Sequence, residues 1–174
     1  MPARQHALEL VLAPGDDTSV RARWQVLEDA GVASSARHRG ATHRPHVTVL
    51  GGPPPEAAVL RVAAARWAPL LPLTMPVAGL VLLEGRRPAL AELLVPSAGA
   101  VAAHAELCTV WLGADDRPWV PHLTLAPRLD LGDATTALTA LAEGGSAPTR
   151  ARVAVALRWW DPEQGSVHTV TGQD

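Results

Sequence analysis

The chain has no lysine, phenylalanine or tyrosine, and a single cysteine. With only Cys108, an internal disulfide and any zinc site built on several thiolates are excluded. All 15 basic residues are therefore arginine, set against 17 acidic ones, and the net charge is −2. A broad, non-specific nucleic-acid surface needs surplus positive charge to displace counterions, and this balance does not supply it. A small arginine-lined pocket for one phosphate stays open. Long apolar runs are missing too. No stretch approaches the ~18 apolar residues of a membrane span, and the run after His6 is short and broken by Glu9, unlike a signal peptide. These absences point to a cytoplasmic protein. The missing lysine and aromatics read as genome composition rather than mechanism.

What is present describes an ordinary folded protein. The apolar fraction is 48% and the charged fraction 18%, outside the range of disordered chains. A length of 174 residues suits one compact domain, which buries roughly 70% of the unfolded chain's surface. A monomer is expected.

Strands alternate with helices along the chain. His6 to Ala13 reads as a strand with Leu8, Leu10 and Leu12 on one face. Pro14-Gly15-Asp16 turns the chain, and Asp16 or Asp17 is placed to cap a helix to Ala30 through Val20, Trp24 and Leu27. Gly31 stands where a helix ends. After a polar loop from Ser34 to Thr42 come a strand to Gly51-Gly52 and a helix from about Pro55 to Ala68, with Leu60, Ala64 and Trp67 inward. Two apolar segments, about 77–83 and 90–95, flank Gly85-Arg86-Arg87-Pro88 as a hairpin. Ser97 offers a cap for a helix through Leu112, with Val101, Cys108 and Trp111 inward. Asp133 caps another to about Ala142, with Leu138 and Leu141 inward, closed by Gly144-Gly145. A strand with Val153, Val155, Leu157 and Trp159 on one face follows, then a short strand around Val167 to Thr169.

One stretch occurs twice: Arg44-Pro45-His46-Val47-Thr48-Val49 and Val120-Pro121-His122-Leu123-Thr124-Leu125. Each is proline, histidine, an apolar residue, threonine and another apolar residue. Successive side chains on a strand point to opposite sides, so His46 and Thr48 share one face while Val47 and Val49 share the other. The same parity places His122 with Thr124. A lone His-x-Thr match carries little weight. Two copies, with the same proline and the same apolar positions, 76 residues apart in equivalent surroundings, suggest a duplicated unit folded as two similar lobes. If those lobes face each other about a pseudo-two-fold axis, both histidines converge on one groove.

On these two stretches and the element order, the chain resembles the 2H phosphoesterase superfamily. Within it the chain is most similar to the bacterial RNA 2′,3′-cyclic phosphodiesterases, also labelled 2′-5′ RNA ligases. The resemblance implies an α+β fold: a two-lobed pseudo-symmetric duplication, with two antiparallel sheets lining a central groove and helices outside. It implies His46 and His122 as catalytic histidines, Thr48 and Thr124 as phosphate-binding hydroxyls, and no metal or other cofactor. RNA ends or small cyclic nucleotides are the implied substrates. Two departures bear on the substrate more than on the chemistry. Relatives often carry an arginine five residues past the second histidine, where this chain has Pro127 and then Arg128. The groove aromatics, commonly Phe or Tyr, have to be tryptophan here or be missing.

The residue types suit that reaction. Opening a cyclic phosphodiester needs a proton taken from attacking water and another given to the departing ribose oxygen. Imidazole ordinarily titrates near pH 6.5, so one ring can be neutral while its partner is protonated. The threonine hydroxyls can donate to the non-bridging oxygens, where charge accumulates. The resemblance implies a 2′-phosphate product. With a ribose 5′-hydroxyl taking part in place of water, the same groove would catalyse 2′-5′ joining. Which histidine plays which part is open. So is a second class of function, a non-catalytic nucleotide or RNA-end binding module on the same scaffold.

Other residues carry weaker expectations. Arg44 shares strand parity with His46, and Arg128 with His122, so either can hold phosphate or lie on the surface. His38 and His43 are expected in a solvated loop, His104 on a helix surface, and His168 on a terminal strand within possible reach of the groove. A zinc site from His43, His46 and a third ligand matches no common spacing. Cys108 reads as core rather than nucleophile. Trp24, Trp67 and Trp111 read as core. Trp119 and Trp160 read as packing, with base stacking as the alternative.

Overall fold

A computed structural model describes residues 5–38, 40, 42–85, 87–144 and 150–173. The strands are β1 (His6–Leu12), β2 (His46–Gly52), β3 (Leu73–Leu83), β4 (Ala89–Leu94), β5 (His122–Ala126), β6 (Ala151–Asp161) and β7 (Ser166–Gly172). The helices are α1 (Pro14–Asp29), α2 (Ala57–Trp67), α3 (Ala98–Val110) and α4 (Ala134–Glu143). Every strand pairing is antiparallel. The strand order is β2-β1-β6-β3-β4-β5, with β7 added on β6. The fold is α+β, as expected from the resemblance.

The two expected sheets are joined through β3. Its first part, Leu73 to Pro76, pairs with β6, and Val77 to Leu83 pairs with β4. Pro76 has no N–H to donate, so it suits the place where one ladder ends. The irregularity between Val77 and Gly79 bends the strand there. Strand twist accumulates across the bent sheet, and its two end strands, β2 and β5, come back into contact. The helices are exchanged between the halves: α1 from the first lies along β5 of the second, and α3 from the second lies along β2 of the first.

Most expected elements form, and the differences have local causes. Pro14 occupies the first helical position of α1 and its N-terminal side chain cap is absent, because proline is already set for that place. Asp16 is then available to bind Arg152 and the Val153 N–H, and Asp17 to pair with Arg21 and Arg44. Val20, Trp24 and Leu27 are buried as expected. In α2 the inward stripe is Val59, Ala63 and Trp67, leaving Leu60 half-buried against the core. In α3, Ser97 accepts the Ala100 N–H at 3.2 Å. The buried residues are Ala100, Ala103 and Leu107, with Trp111 beyond them, while Val101 and Cys108 are exposed. That helix is apolar on nearly every face, so its periodicity selects no side. In α4 Ala137 is buried and Leu138 exposed. Small residues let the helix backbones approach the sheet closely. Gly145 and Arg86 lie outside the described residues.

Strand β6 is central, pairing with β1, β3 and β7. Of its expected apolar face only Leu157 is buried, with Val153, Val155 and Trp159 half-buried, while the buried alternate residues are Arg152, Ala154, Ala156 and Arg158. Arg158 donates from Nε to Glu9 Oε2 at 2.9 Å. Arg152 binds both oxygens of buried Glu92, at 2.8 and 2.7 Å, and Arg23 reaches the same carboxylate at 2.9 Å. Among the described residues no helix is long and apolar enough to cross a membrane.

Candidate active site

The repeated stretches form β2 and β5, the two end strands that meet. Val47, Val49, Leu123 and Leu125 are buried, while His46, Thr48, His122 and Thr124 keep access to solvent, so the alternation works as the sequence requires. The first strand ends at Gly52, where an added Cβ would come within 2.9 Å of the Trp111 ring. Glycine lets β2 lie against that tryptophan.

The four polar residues combine crosswise. One cavity, about 350 Å³, is lined by His122 with Thr48; the other, about 460 Å³, is lined by His46 with Thr124. Each motif's histidine thus shares a cavity with the other motif's threonine. Two strands running opposite ways produce this pattern.

Equivalent hydrogen bonds set the two rings. His46 Nδ1 lies 2.7 Å from the Arg44 carbonyl oxygen, and His122 Nδ1 lies 2.7 Å from that of Val120. A carbonyl only accepts, so each Nδ1 carries a hydrogen and each Nε2 is left for proton exchange. His46 Nε2 is 3.5 Å from Glu9 Oε1. Glu9 faces Thr48 across the β1–β2 ladder and Arg158 across the β1–β6 ladder. Sequence reasoning noted Glu9 only as an interruption; its strand parity, opposite to Leu8 and Leu10, is the signal that places it behind the first motif.

Two tryptophans tie the halves together. Trp119 donates its indole N–H to the Thr48 carbonyl at 2.9 Å, and Trp24 donates to the Thr124 carbonyl at 3.0 Å. Each indole comes from the opposite half of the chain. Trp24 is core as expected, and Trp119 lines the smaller cavity rather than simply packing. Trp119→Phe keeps an aromatic ring and removes the donor. The expected result is a loss of about 1 kcal/mol in urea unfolding, the worth of one such bond; an unmoved midpoint would show that this indole holds nothing.

Of the remaining histidines, His43 departs from the sequence expectation. His43 is half-buried, stacked on Trp24 with ring centroids 5.2 Å apart, and His38 leans against it at 4.3 Å. His43 lines the larger cavity instead of standing free in solvent; His38 lines it too but is exposed, as expected of a loop residue. Burial, then the neighbouring His38 and His46, push the His43 imidazole down to about 4. Its Nε2 lies 3.1 Å from the Ser35 carbonyl oxygen, a bond the neutral ring makes with its one hydrogen. His104 is partly exposed as expected and stacks on Trp119 at 4.7 Å, and burial lowers its pKa. His168 stacks on Trp159 and lines neither cavity. Arg44 lines the larger cavity and pairs with Asp17. Arg128 is exposed in the turn after β5 and lines neither cavity, whereas Pro127 lines the larger one.

Among the described residues one group of three has metal-ligand spacing: His6, Asp161 and Glu163. Asp161 Oδ1 and His6 Nδ1 are engaged otherwise, while His6 Nε2 is buried without a hydrogen-bond partner among the described residues. Asp161 Oδ1 accepts the Glu163 and Gln164 N–H groups, and His6 Nδ1 accepts the Trp159 indole N–H. The group lines neither cavity.

The fold, an antiparallel sheet whose two end strands meet, is shared by a solved structure of low sequence identity. A structure described as a phosphoesterase aligns over 98% of this chain and 95% of its own, with TM-score 0.50 and 13% identity. The apo form of LigT from E. coli aligns over the same shares, with TM-score 0.47 and 12% identity. No curated protein matches the chain in sequence. The profile of the 2′-5′ RNA ligase superfamily matches residues 16–164, which include both motifs. The chain belongs to that superfamily.

Proposed function

We propose that this protein is a metal-independent phosphoesterase that hydrolyses 2′,3′-cyclic phosphates of RNA ends or nucleotides to 2′-phosphates, using His46 and His122 as its acid–base pair. The observation that carries the reading is the crosswise lining of the two cavities, each with one histidine and the other motif's threonine. In this reading a phosphate binds between the two strands, where His46 and His122 would serve two opposite oxygens and Thr48 and Thr124 its non-bridging oxygens. One Nε2 takes a proton from water as that water bonds to phosphorus. The other gives a proton to the 3′ oxygen as the P–O3′ bond breaks. The threonines donate to the oxygens that gain charge, a contribution available only from preset donors. With a 5′-hydroxyl in the water's place, the same steps form a 2′-5′ linkage, in keeping with the superfamily's description. The residues form one catalytic unit acting as a monomer on cytoplasmic substrates.

The test is turnover of nucleoside 2′,3′-cyclic phosphates in EDTA. The expected results are a 2′-phosphate product, a bell-shaped dependence of rate on pH, and full activity with the chelator present. Activity lost to EDTA and restored by a divalent ion would defeat the metal-independent mechanism. Tight binding without turnover would favour a binding module.

A further inference from the structure

The two cavities differ in charge. The smaller is lined by Glu84, Asp115 and Arg117. Hydrogen bonds from Arg117 hold the Asp115 carboxyl down to about 2, so it is ionised and its arginine is already occupied. The larger cavity is lined by Arg37 and Arg44 and by no carboxylate. The acids that orient these arginines stand behind them. Arg37 Nε donates to both oxygens of Glu28, at 3.1 and 2.8 Å, and Arg44 Nε donates to Asp17 at 3.2 Å. The Arg37 side chain is 60% exposed and that of Glu28 only 20%.

Because Glu28 takes Nε, the two terminal amino groups of Arg37 have no partner among the described residues. An arginine held in this way presents a fixed fork suited to two phosphate oxygens. His38 adds a donor: its Nδ1 accepts the Gly40 N–H at 3.3 Å, which leaves the hydrogen of the neutral ring on Nε2. Since each arginine is charge-balanced from behind, recognition here is by direct hydrogen bonds more than by long-range attraction.

We propose that the larger cavity is a subsite for a second phosphate, the one on the 5′ side of the nucleotide that carries the reacting phosphate. The body of an oligonucleotide then lies over Arg37 and Arg44. The cavity with Glu84 and Asp115 takes the uncharged reactant, water or a hydroxyl-bearing nucleoside. This assignment rests on the phosphoesterase reading and gives its groove a direction. A polyanion run the other way would pass the two carboxylates.

Three substrates test it: a nucleoside 2′,3′-cyclic phosphate, the same compound with a 5′-phosphate, and a dinucleotide ending in a cyclic phosphate. The expected kcat/KM is about tenfold higher for the two with a second phosphate, the lower range for a charge-assisted bond. Arg37→Gln should bring that ratio to within about twofold of one, while Arg117→Gln keeps it. Equal rates for all three substrates in the wild type would overturn the subsite, as would a ratio that survives Arg37→Gln and disappears in Arg117→Gln. A preference for the dinucleotide alone would also count against it, because sugar or base contacts would then carry the effect. If none of the three turned over, the phosphoesterase reading would fall. The subsite would then be judged by calorimetry: a nucleoside 3′,5′-bisphosphate must bind more tightly than the 3′-monophosphate, and Arg37→Gln must remove that advantage.

Discussion

Substituting either His46 or His122 by alanine is expected to lower kcat for a 2′,3′-cyclic nucleotide by about 10² to 10⁴-fold, the range for loss of one general acid or base. KM should change far less, because the threonines, the arginines and the second histidine still hold the phosphate. Each ring is partly exposed and held by a nearby carbonyl through Nδ1, with Glu9 Oε1 3.5 Å from His46 Nε2, so neither substitution opens a core cavity, and thermal midpoints should stay within a few degrees. The pH–rate profile discriminates further. A bell produced by two groups should lose one limb in each variant, and a different limb in each. The double variant should be scarcely slower than the worse single one, since groups acting on one transition state are strongly non-additive. Wild-type rates in either single variant would remove the acid–base assignment and leave the fold untouched.

The second large effect concerns stability. Glu92 is fully buried and accepts from Arg152 through both oxygens, with Arg23 alongside. The three residues come from β4, β6 and α1, so one carboxylate joins the two parts of the bent sheet to the helix that carries Trp24. Removing one partner of such a group strands the remaining charge away from water. Glu92→Gln is expected to cost about 3–5 kcal/mol in equilibrium unfolding. Asp16 and Ser19 still hold Arg152 Nη1, which limits the loss toward the lower figure. Glu92→Met combined with Arg23→Met and Arg152→Met should recover most of it, because apolar residues of similar volume leave no charge stranded around the missing carboxylate. A single substitution costing under 1 kcal/mol would mean that water reaches the site and the network is not closed.

The recognition of both motifs from sequence succeeded for a physical reason. In Pro-His-Val-Thr-Val and Pro-His-Leu-Thr-Leu the period of two is local, and each strand is half-buried, so the alternation survives into the structure unchanged. Helix placement was legible from Gly31 and Ser97 for the same reason: an end signal acts within a few residues. The helix faces were less so. In α3 nearly every position is apolar, and only contact with β2 decides that Ala103 and Leu107 face in while Cys108 faces out. His43 was placed in solvent because its loop is polar. Its stacking on Trp24 joins residues 19 positions apart that share no periodic pattern.

From sequence alone came the paired imidazole and hydroxyl, their common strand face, the α+β class and the resemblance that names a superfamily, all properties of short segments or of their order. Tertiary structure alone decided that β2 and β5, at opposite ends of the strand order, lie against each other with motifs crossed, that Glu9 backs one of them, and that arginines line one cavity while carboxylates line the other. Those are outcomes of sheet twist, of the bend at β3 and of helices exchanged between halves. They depend on contacts between residues a hundred or more positions apart, as in the bonds from Trp24 to Thr124 and from Arg158 to Glu9, and no periodicity in the chain encodes them.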